Sequence, residues 1–128
     1  MEQLINLGIS LETIKSMLEI NPDLTNEEVM EKKEILLSIG CNDQELINII
    51  GSNAMFISRT KEEIIELIEY LKKLGFTYLN LLFDSNPYIL NLEPFEINSY
   101  IKTRLSKRQS LEDIVDDLDS NPYLFNEI

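Results

Sequence analysis

The stretch Asp84-Ser85-Asn86-Pro87-Tyr88-Ile89-Leu90-Asn91 returns 119 − 84 = 35 residues later as Asp119-Ser120-Asn121-Pro122-Tyr123-Leu124-Phe125-Asn126. The two copies differ only where one apolar residue replaces another. An octapeptide repeated in this way is typical of an array in which one supersecondary unit is stacked several times. The stretch therefore indicates the fold class more strongly than any motif of the chain indicates a function.

Outward from this repeat, four short apolar-periodic segments each begin at a helix-capping residue and run into an asparagine. The capping residues are Ser10, Asn42, Thr77 and Ser110, and the asparagines are Asn21, Asn53, Asn86 and Asn121. Proline follows three of these asparagines; because proline lacks an N–H and disfavours the α conformation in the preceding residue, Asn-Pro predicts a helix end. Glycine precedes three of the caps, at Gly8, Gly40 and Gly75, which suits the left-handed residue that ends a helix.

Longer helices lie between these short segments. Thr25 with Glu28 and Thr60 with Glu63 have the spacing of capping boxes that open helices toward Ile39 and Leu74, and Asn42 with Glu45 forms a third box on a short helix. Pro94 suits the first turn of a further long helix toward Leu105. We therefore predict an all-α helical-repeat (solenoid) domain over residues 1–128, with alternating short and long helices. It contains about three and a half units, approximately 1–24, 25–57, 58–90 and 91–128.

Composition excludes several classes of function. The chain has 11 basic and 23 acidic residues and a net charge of −12, which disfavours contact with phosphate backbones and favours basic partners. It has no histidine, and we find no phosphate loop, zinc spacing or nucleophile motif, so we expect neither an enzyme nor a bound metal or cofactor. A single cysteine and the absence of a membrane span or a secretory signal predict a cytoplasmic protein.

The segment Leu7-Gly8-Ile9-Ser10-Leu11-Glu12-Thr13-Ile14, followed by Met17-Leu18-Glu19-Ile20-Asn21-Pro22-Asp23-Leu24, resembles the repeat of the mTERF (mitochondrial transcription termination factor) family. Units beginning at Ile39-Gly40 and Leu74-Gly75 repeat the pattern with gaps. The resemblance implies a curved helical array whose relatives bind duplex DNA or RNA along a basic concave face. Every unit of this chain is acidic, and so the resemblance extends more readily to the fold than to the ligand.

Three functions fit these observations. The first is a non-catalytic module that binds a basic protein, on a surface of the long helices that includes Glu62, Glu66 and Glu69. The second is an mTERF-like nucleic-acid-binding protein with a transcription-related function, using Arg104, Lys107 and Arg108, which would share a face if the helix continues through them. The third is an acidic mimic of nucleic acid.

Other features have simpler interpretations. Asp117-Leu118-Asp119-Ser120-Asn121 begins like a calcium-binding loop, but Pro122 replaces the required glycine and Ile128 the required glutamate. Tyr88 and Tyr123 recur with the repeat, which favours packing between units over base stacking. Neither end shows a polar capping helix, so Leu124, Phe125 and Ile128 are expected to be exposed or covered by a partner, with self-association as one outcome.

Overall fold

The computed structural model describes residues 2–128, in which all regular secondary structure is helical and no strand is present. The α-helices are α1 Glu2–Leu7, α2 Leu11–Ile20, α3 Asn26–Ser38, α4 Asp43–Ser52, α5 Lys61–Leu74, α6 Leu79–Ser85, α7 Pro94–Leu105 and α8 Leu111–Ser120. The 3₁₀ helices are Phe56–Ser58, Pro87–Asn91 and Pro122–Glu127. The predicted all-α helical-repeat fold is confirmed.

Each unit consists of a short helix, a turn or 3₁₀ helix, and a long helix that ends in a second turn. All four asparagines are the C-terminal caps of the short helices α2, α4, α6 and α8. Asn53 has this role although no proline follows it. The asparagine, rather than the proline, is therefore the residue common to every helix end.

The predicted N-terminal caps are present at most of their positions. Ser10, Asn42 and Ser110 each accept a backbone N–H from the third residue of the helix that follows. The capping boxes at Thr25, Asn42 and Thr60 are all formed. In the last of these, Glu63 accepts the Thr60 backbone N–H at 3.0 Å, and this bond is the main cause of a pKa below the usual value for the Glu63 carboxyl.

The expected cap at Thr77 is wrong. Helix α6 begins after Tyr78, whose side chain makes no capping bond. The segment from Thr77 to Asn86 is two residues shorter than the matching segments of the other units. Leu79, Leu82 and Phe83 nevertheless take the buried positions that Leu46, Ile49 and Ile50 take in α4. The start of α6 is therefore set by the packing of these apolar residues, at fixed distances before Asn86, and not by the capping preference of Thr77. As a result, α6 lacks the first turn that a cap at Thr77 would give it.

Glycine turns reverse the chain after the long helices. Gly8, Gly40 and Gly75 have φ of 99°, 96° and 111°, the left-handed region in which a Cβ is strained. After each glycine, the next backbone N–H donates across the turn to a carbonyl of the preceding helix, with N···O distances of 3.1, 3.1 and 3.2 Å. These bonds satisfy carbonyls that the helix ends would otherwise leave unpaired.

One continuous apolar core runs through the array from Leu4 to Phe125. On α5, Ile64, Leu67, Ile68 and Leu71 form an apolar stripe and are at most 4% exposed. Burying an aliphatic side chain of this size stabilises the fold by about 1.5–3 kcal/mol. Phe125 belongs to the same core, with its ring centroid 6.0 Å from that of Phe76. The expectation that Phe125 is exposed is therefore wrong, because the last 3₁₀ helix turns it back onto the preceding unit.

Candidate nucleic-acid interface

The outer face of the long helices α3 and α5 is acidic. Glu62, Glu66 and Glu69 are exposed and follow one face of α5. Aligning the units on Gly40 and Gly75 places Glu27, Glu31 and Glu34 at the same positions of α3. We call these six glutamates the acidic stripe. Carboxylates spaced along neighbouring helices repel a phosphate backbone, so this face of α3 and α5 is unsuited to nucleic acid.

Cations gather at the C-terminal ends of the later long helices. The last turn of α5 carries Lys72 and Lys73, and the last turn of α7 carries Lys102, whereas the described parts of α1 and α3 have no basic residue in this turn. Helix α5 packs against α7, and the repeated order of elements brings both helix ends to one edge. The turn after α7 adds two more cations. We call Lys72, Lys73, Lys102, Lys107 and Arg108 the basic edge.

Most of the basic edge is free to meet a ligand. Lys72 Nζ lies 3.7 Å from a carboxylate oxygen of Glu69. Within residues 2–128, the other four cations form no ion pair. Exposed Lys and Arg side chains without a carboxylate partner are the groups that neutralise phosphates in nucleic-acid complexes.

Arg104, by contrast, is bound within the protein. Its Nε donates to Gln109, its Nη1 to the Tyr100 hydroxyl at 2.6 Å, and its Nη2 to Asp117 Oδ2 at 3.2 Å. The guanidinium carbon lies 5.5 Å from the centre of the Tyr100 ring, at cation–π distance. The side chain is only 23% exposed. Arg104 is therefore neutralised and fixed by its own chain.

The expectation that Arg104, Lys107 and Arg108 share a helical face is wrong. Helix α7 ends at Leu105, and Lys107 and Arg108 lie in the turn that follows. Arg108 has a φ of 67° and occupies the position of the glycines that end the earlier long helices. A left-handed residue cannot continue the helix, so Lys107 and Arg108 do not extend the helical face that carries Arg104.

The Arg104 cluster replaces part of the apolar core. Alignment on the turn after each long helix matches Arg104 with Leu36 and Leu71, and Gln109 with Cys41 and Phe76. Alignment on the asparagines matches Asp117 with Ile49 and Leu82. All six of these equivalents are at most 6% exposed. In the last unit the same three positions hold Arg104, Gln109 and Asp117, and Arg104 donates hydrogen bonds to the other two at a partly exposed face.

Arg108→Gly is expected to raise the free energy of unfolding by about 1 kcal/mol, because glycine adopts the left-handed conformation without the Cβ strain. Urea unfolding followed by circular dichroism measures the change. Lys107→Gly removes the same charge one residue earlier, where φ is not positive, and should leave stability unchanged or lower it. If both variants gain equally, relief of charge repulsion rather than backbone strain is the cause.

The mTERF family model matches residues 1–116 of the 128. The chain belongs to the mTERF family. mTERF proteins are helical-repeat proteins that bind nucleic acid, which favours the second of the three functions above and gives no support to a basic protein partner. No curated protein and no solved structure gives a significant match.

Side-chain hydrogen bonds join successive mTERF units. Arg59 leaves the 3₁₀ helix of one unit and donates to the Leu90 and Leu92 carbonyls of the next, at 2.5 and 3.1 Å. Asn53 Nδ2 donates to the Pro87 carbonyl at 2.8 Å, and Asn86 Nδ2 donates to the Pro122 carbonyl at 3.0 Å. Two of the four repeated asparagines, Asn53 and Asn86, therefore join units as well as ending helices, a role that the repeat spacing alone did not reveal.

Tyr88 and Tyr123 are 42% and 65% exposed, so packing between units does not explain their recurrence. Cys41 is buried, and burial is the main reason that the pKa of its thiol rises to about 12, with smaller contributions from Glu45 and Asp84. Such a thiol is protonated and unreactive at neutral pH.

Acidic residues within the described range do not assemble into a metal site. No group of three or more Asp, Glu or Cys side chains in residues 2–128 is arranged to hold a metal ion. The calcium-like stretch from Asp117 is instead part of α8 and its asparagine cap, and Asp117 itself pairs with Arg104.

Among the helices of residues 2–128, none combines the length and the apolar character needed to cross a bilayer.

Proposed function

We propose that this mTERF chain is a non-catalytic nucleic-acid-binding protein that holds phosphates on its basic edge. The observation that supports the proposal most directly is the group of unpaired cations at the ends of α5 and α7, in a chain that is otherwise strongly acidic. Membership of the mTERF family supports nucleic acid as the ligand, and the distribution of charge supports the basic edge as the contact surface. Of the three cations expected from the sequence, Lys107 and Arg108 belong to the basic edge. Arg104 is instead held by hydrogen bonds within the protein.

The net charge of −12 sets the expected strength of binding. Repulsion from the acidic stripe opposes the approach of nucleic acid, so we expect micromolar affinity at low salt. If about four phosphates are neutralised, the logarithm of the affinity should fall against the logarithm of salt with a slope of about −3.6 for duplex DNA. Between ~50 and ~200 mM salt, this slope predicts a loss of affinity of about 10²-fold.

Fluorescence-anisotropy titrations with labelled duplex DNA, duplex RNA and single strands test the proposal at these two salt concentrations. Lys72→Ala/Lys107→Ala removes two charges from the basic edge. It should weaken binding by at least about tenfold at low salt and make the salt slope shallower by about 1.8 for duplex DNA. Lys15→Ala/Lys61→Ala is the matched control, because it removes the same charge from two exposed lysines outside the edge.

The proposal is overturned if the wild-type protein binds none of these probes at ~50 mM salt. It is also overturned if the control pair weakens binding as much as the edge pair, since the response would then follow net charge alone. In either case the acidic stripe, facing a basic protein or the nucleic-acid groove of another protein, becomes the surface to study.

A further inference from the structure

Helix α7 breaks the charge pattern of the long helices that precede it. Alignment on Gly40, Gly75 and the left-handed Arg108 matches the three stripe positions of α3 and α5 with Phe95, Ser99 and Lys102. Three carboxylates per helix are thus replaced by an aromatic ring, a hydroxyl and a cation. Phe95 is 69% exposed, on a surface where both equivalent residues are glutamates. An aromatic ring this exposed is a candidate contact residue.

The same face of α7 borders an open trough. One part, of about 410 Å³, lies between Phe95, Ser99 and Thr103 on the helix and Glu127 with Ile128 on the other wall. It adjoins a second part, of about 480 Å³, which is lined by Tyr100, Thr103, Arg104, Lys107 and Gln109 and again by Glu127. We call the two parts together the α7 trough. It leads from the exposed Phe95 ring to the basic edge.

We infer that the α7 trough takes unpaired bases of a single-stranded nucleic acid, with a base stacked on Phe95 and the backbone phosphates at Lys102 and Lys107. Lys102 lies 102 − 95 = 7 residues after Phe95 on α7, about two helical turns away, and Lys107 lines the far part of the trough. An exposed aromatic ring combined with cations along a groove is the arrangement that binds single strands without regard to sequence. A duplex offers no free base face to such a ring, because its bases are stacked on each other. The hydroxyls of Ser99 and Thr103 donate to the Phe95 and Ser99 carbonyls at 3.0 and 3.1 Å, so towards a base edge or a sugar they serve as hydrogen-bond acceptors. This inference rests on the proposed nucleic-acid binding and adds a preference for single strands.

Two carboxylates, those of Glu96 and Glu127, border the trough, and they differ in how strongly each repels a phosphate bound there. Glu96 accepts the Glu93 backbone N–H at 2.9 Å, so its charge is held at the start of α7. Glu127 lies on the facing wall and is exposed. Its charge should weaken binding of a strand that lies in the trough, and Glu127→Gln should therefore strengthen it severalfold at low salt.

Phe95→Ala tests the stacking contact without disturbing the core, because the side chain is largely exposed. In the anisotropy titration it should weaken binding of labelled single-stranded DNA and RNA by about tenfold. It should leave duplex affinity within about twofold and the salt slope unchanged, since no cation is removed. Phe95→Trp, which keeps an aromatic platform, should restore the affinity. Tyr78→Ala is the matched control, because Tyr78 is equally exposed at 69% and lies in a different unit.

The outcomes separate this inference from the proposed function. If the wild-type protein binds duplexes but not single strands, the inference fails while nucleic-acid binding stands. If Phe95→Ala behaves like Tyr78→Ala, or weakens duplex and single-strand binding equally, the trough is not a base site and exposed Phe95 must serve another partner. If no probe binds at ~50 mM salt, the proposed function itself has failed.

Discussion

Arg59→Ala is expected to lower the free energy of unfolding by about 3 kcal/mol. The Arg59 side chain is 11% exposed and crosses from one unit to the next. Its Nη1 donates to the backbone carbonyls of the buried residues Leu90 and Leu92. Its Nη2 lies 2.5 Å from a carboxylate oxygen of Glu93 and 3.4 Å from one of Glu63. Truncation leaves two carbonyls without a donor and opens a cavity between units. Urea unfolding at neutral pH, followed by circular dichroism, measures the loss.

Two further variants separate charge from hydrogen bonding at this position. Arg59→Lys keeps the charge but lacks the planar fork that serves several acceptors at once, so it should recover only part of the stability. Arg59→Leu supplies the residue found at the equivalent positions of other units, Leu24 and Leu92. A buried ion pair replaced by a well-packed apolar side chain often costs little, so Arg59→Leu should lose less than Arg59→Ala. A loss below about 1 kcal/mol for Arg59→Ala would show that the unit contact does not depend on this side chain.

The fold was predictable from the sequence because its signals are local. Capping boxes, glycine turns and the asparagine stops each depend on a few neighbouring residues, and a repeat presents them several times. Thr77 failed as a cap because the position of α6 is set by packing that is counted from Asn86. Phe125 was misplaced for the same reason, since its burial depends on Phe76, in the preceding unit.

The candidate site was only partly predictable. Lys107 and Arg108 were identified from their charge, but the sequence did not show that α7 ends before them or that Arg104 is held by Gln109 and Asp117. Those contacts join residues of different elements, which no short-range rule describes. Phe95 was missed altogether. Aligning α7 with the helix that carries Glu62 would have shown the missing carboxylates, because that comparison needs only the repeat register.

Asn86→Ala is expected to lower the free energy of unfolding by about 2 kcal/mol. Asn86 is 5% exposed, and its Nδ2 donates to the Pro122 carbonyl and to Asn126 Oδ1, both at 3.0 Å. Both acceptors belong to the following unit, so the side chain joins two units rather than stabilising its own. Asn121→Ala is the matched control. Asn121 caps α8 in the same way but is exposed and makes no such contact among the described residues, so the variant should lose at most about 0.5 kcal/mol.

Hydrogen exchange gives this prediction a second, local readout. In a repeat array each unit is stabilised mainly by its neighbours, so a weakened contact between two units releases the terminal one first. Amides of α8 should exchange faster in Asn86→Ala, while those of α3 and α4 should change little. Uniform acceleration over the whole chain would instead mean that the array unfolds as one unit. Asn86 would then stabilise the protein globally, and the repeated asparagine would not act as a link between neighbours.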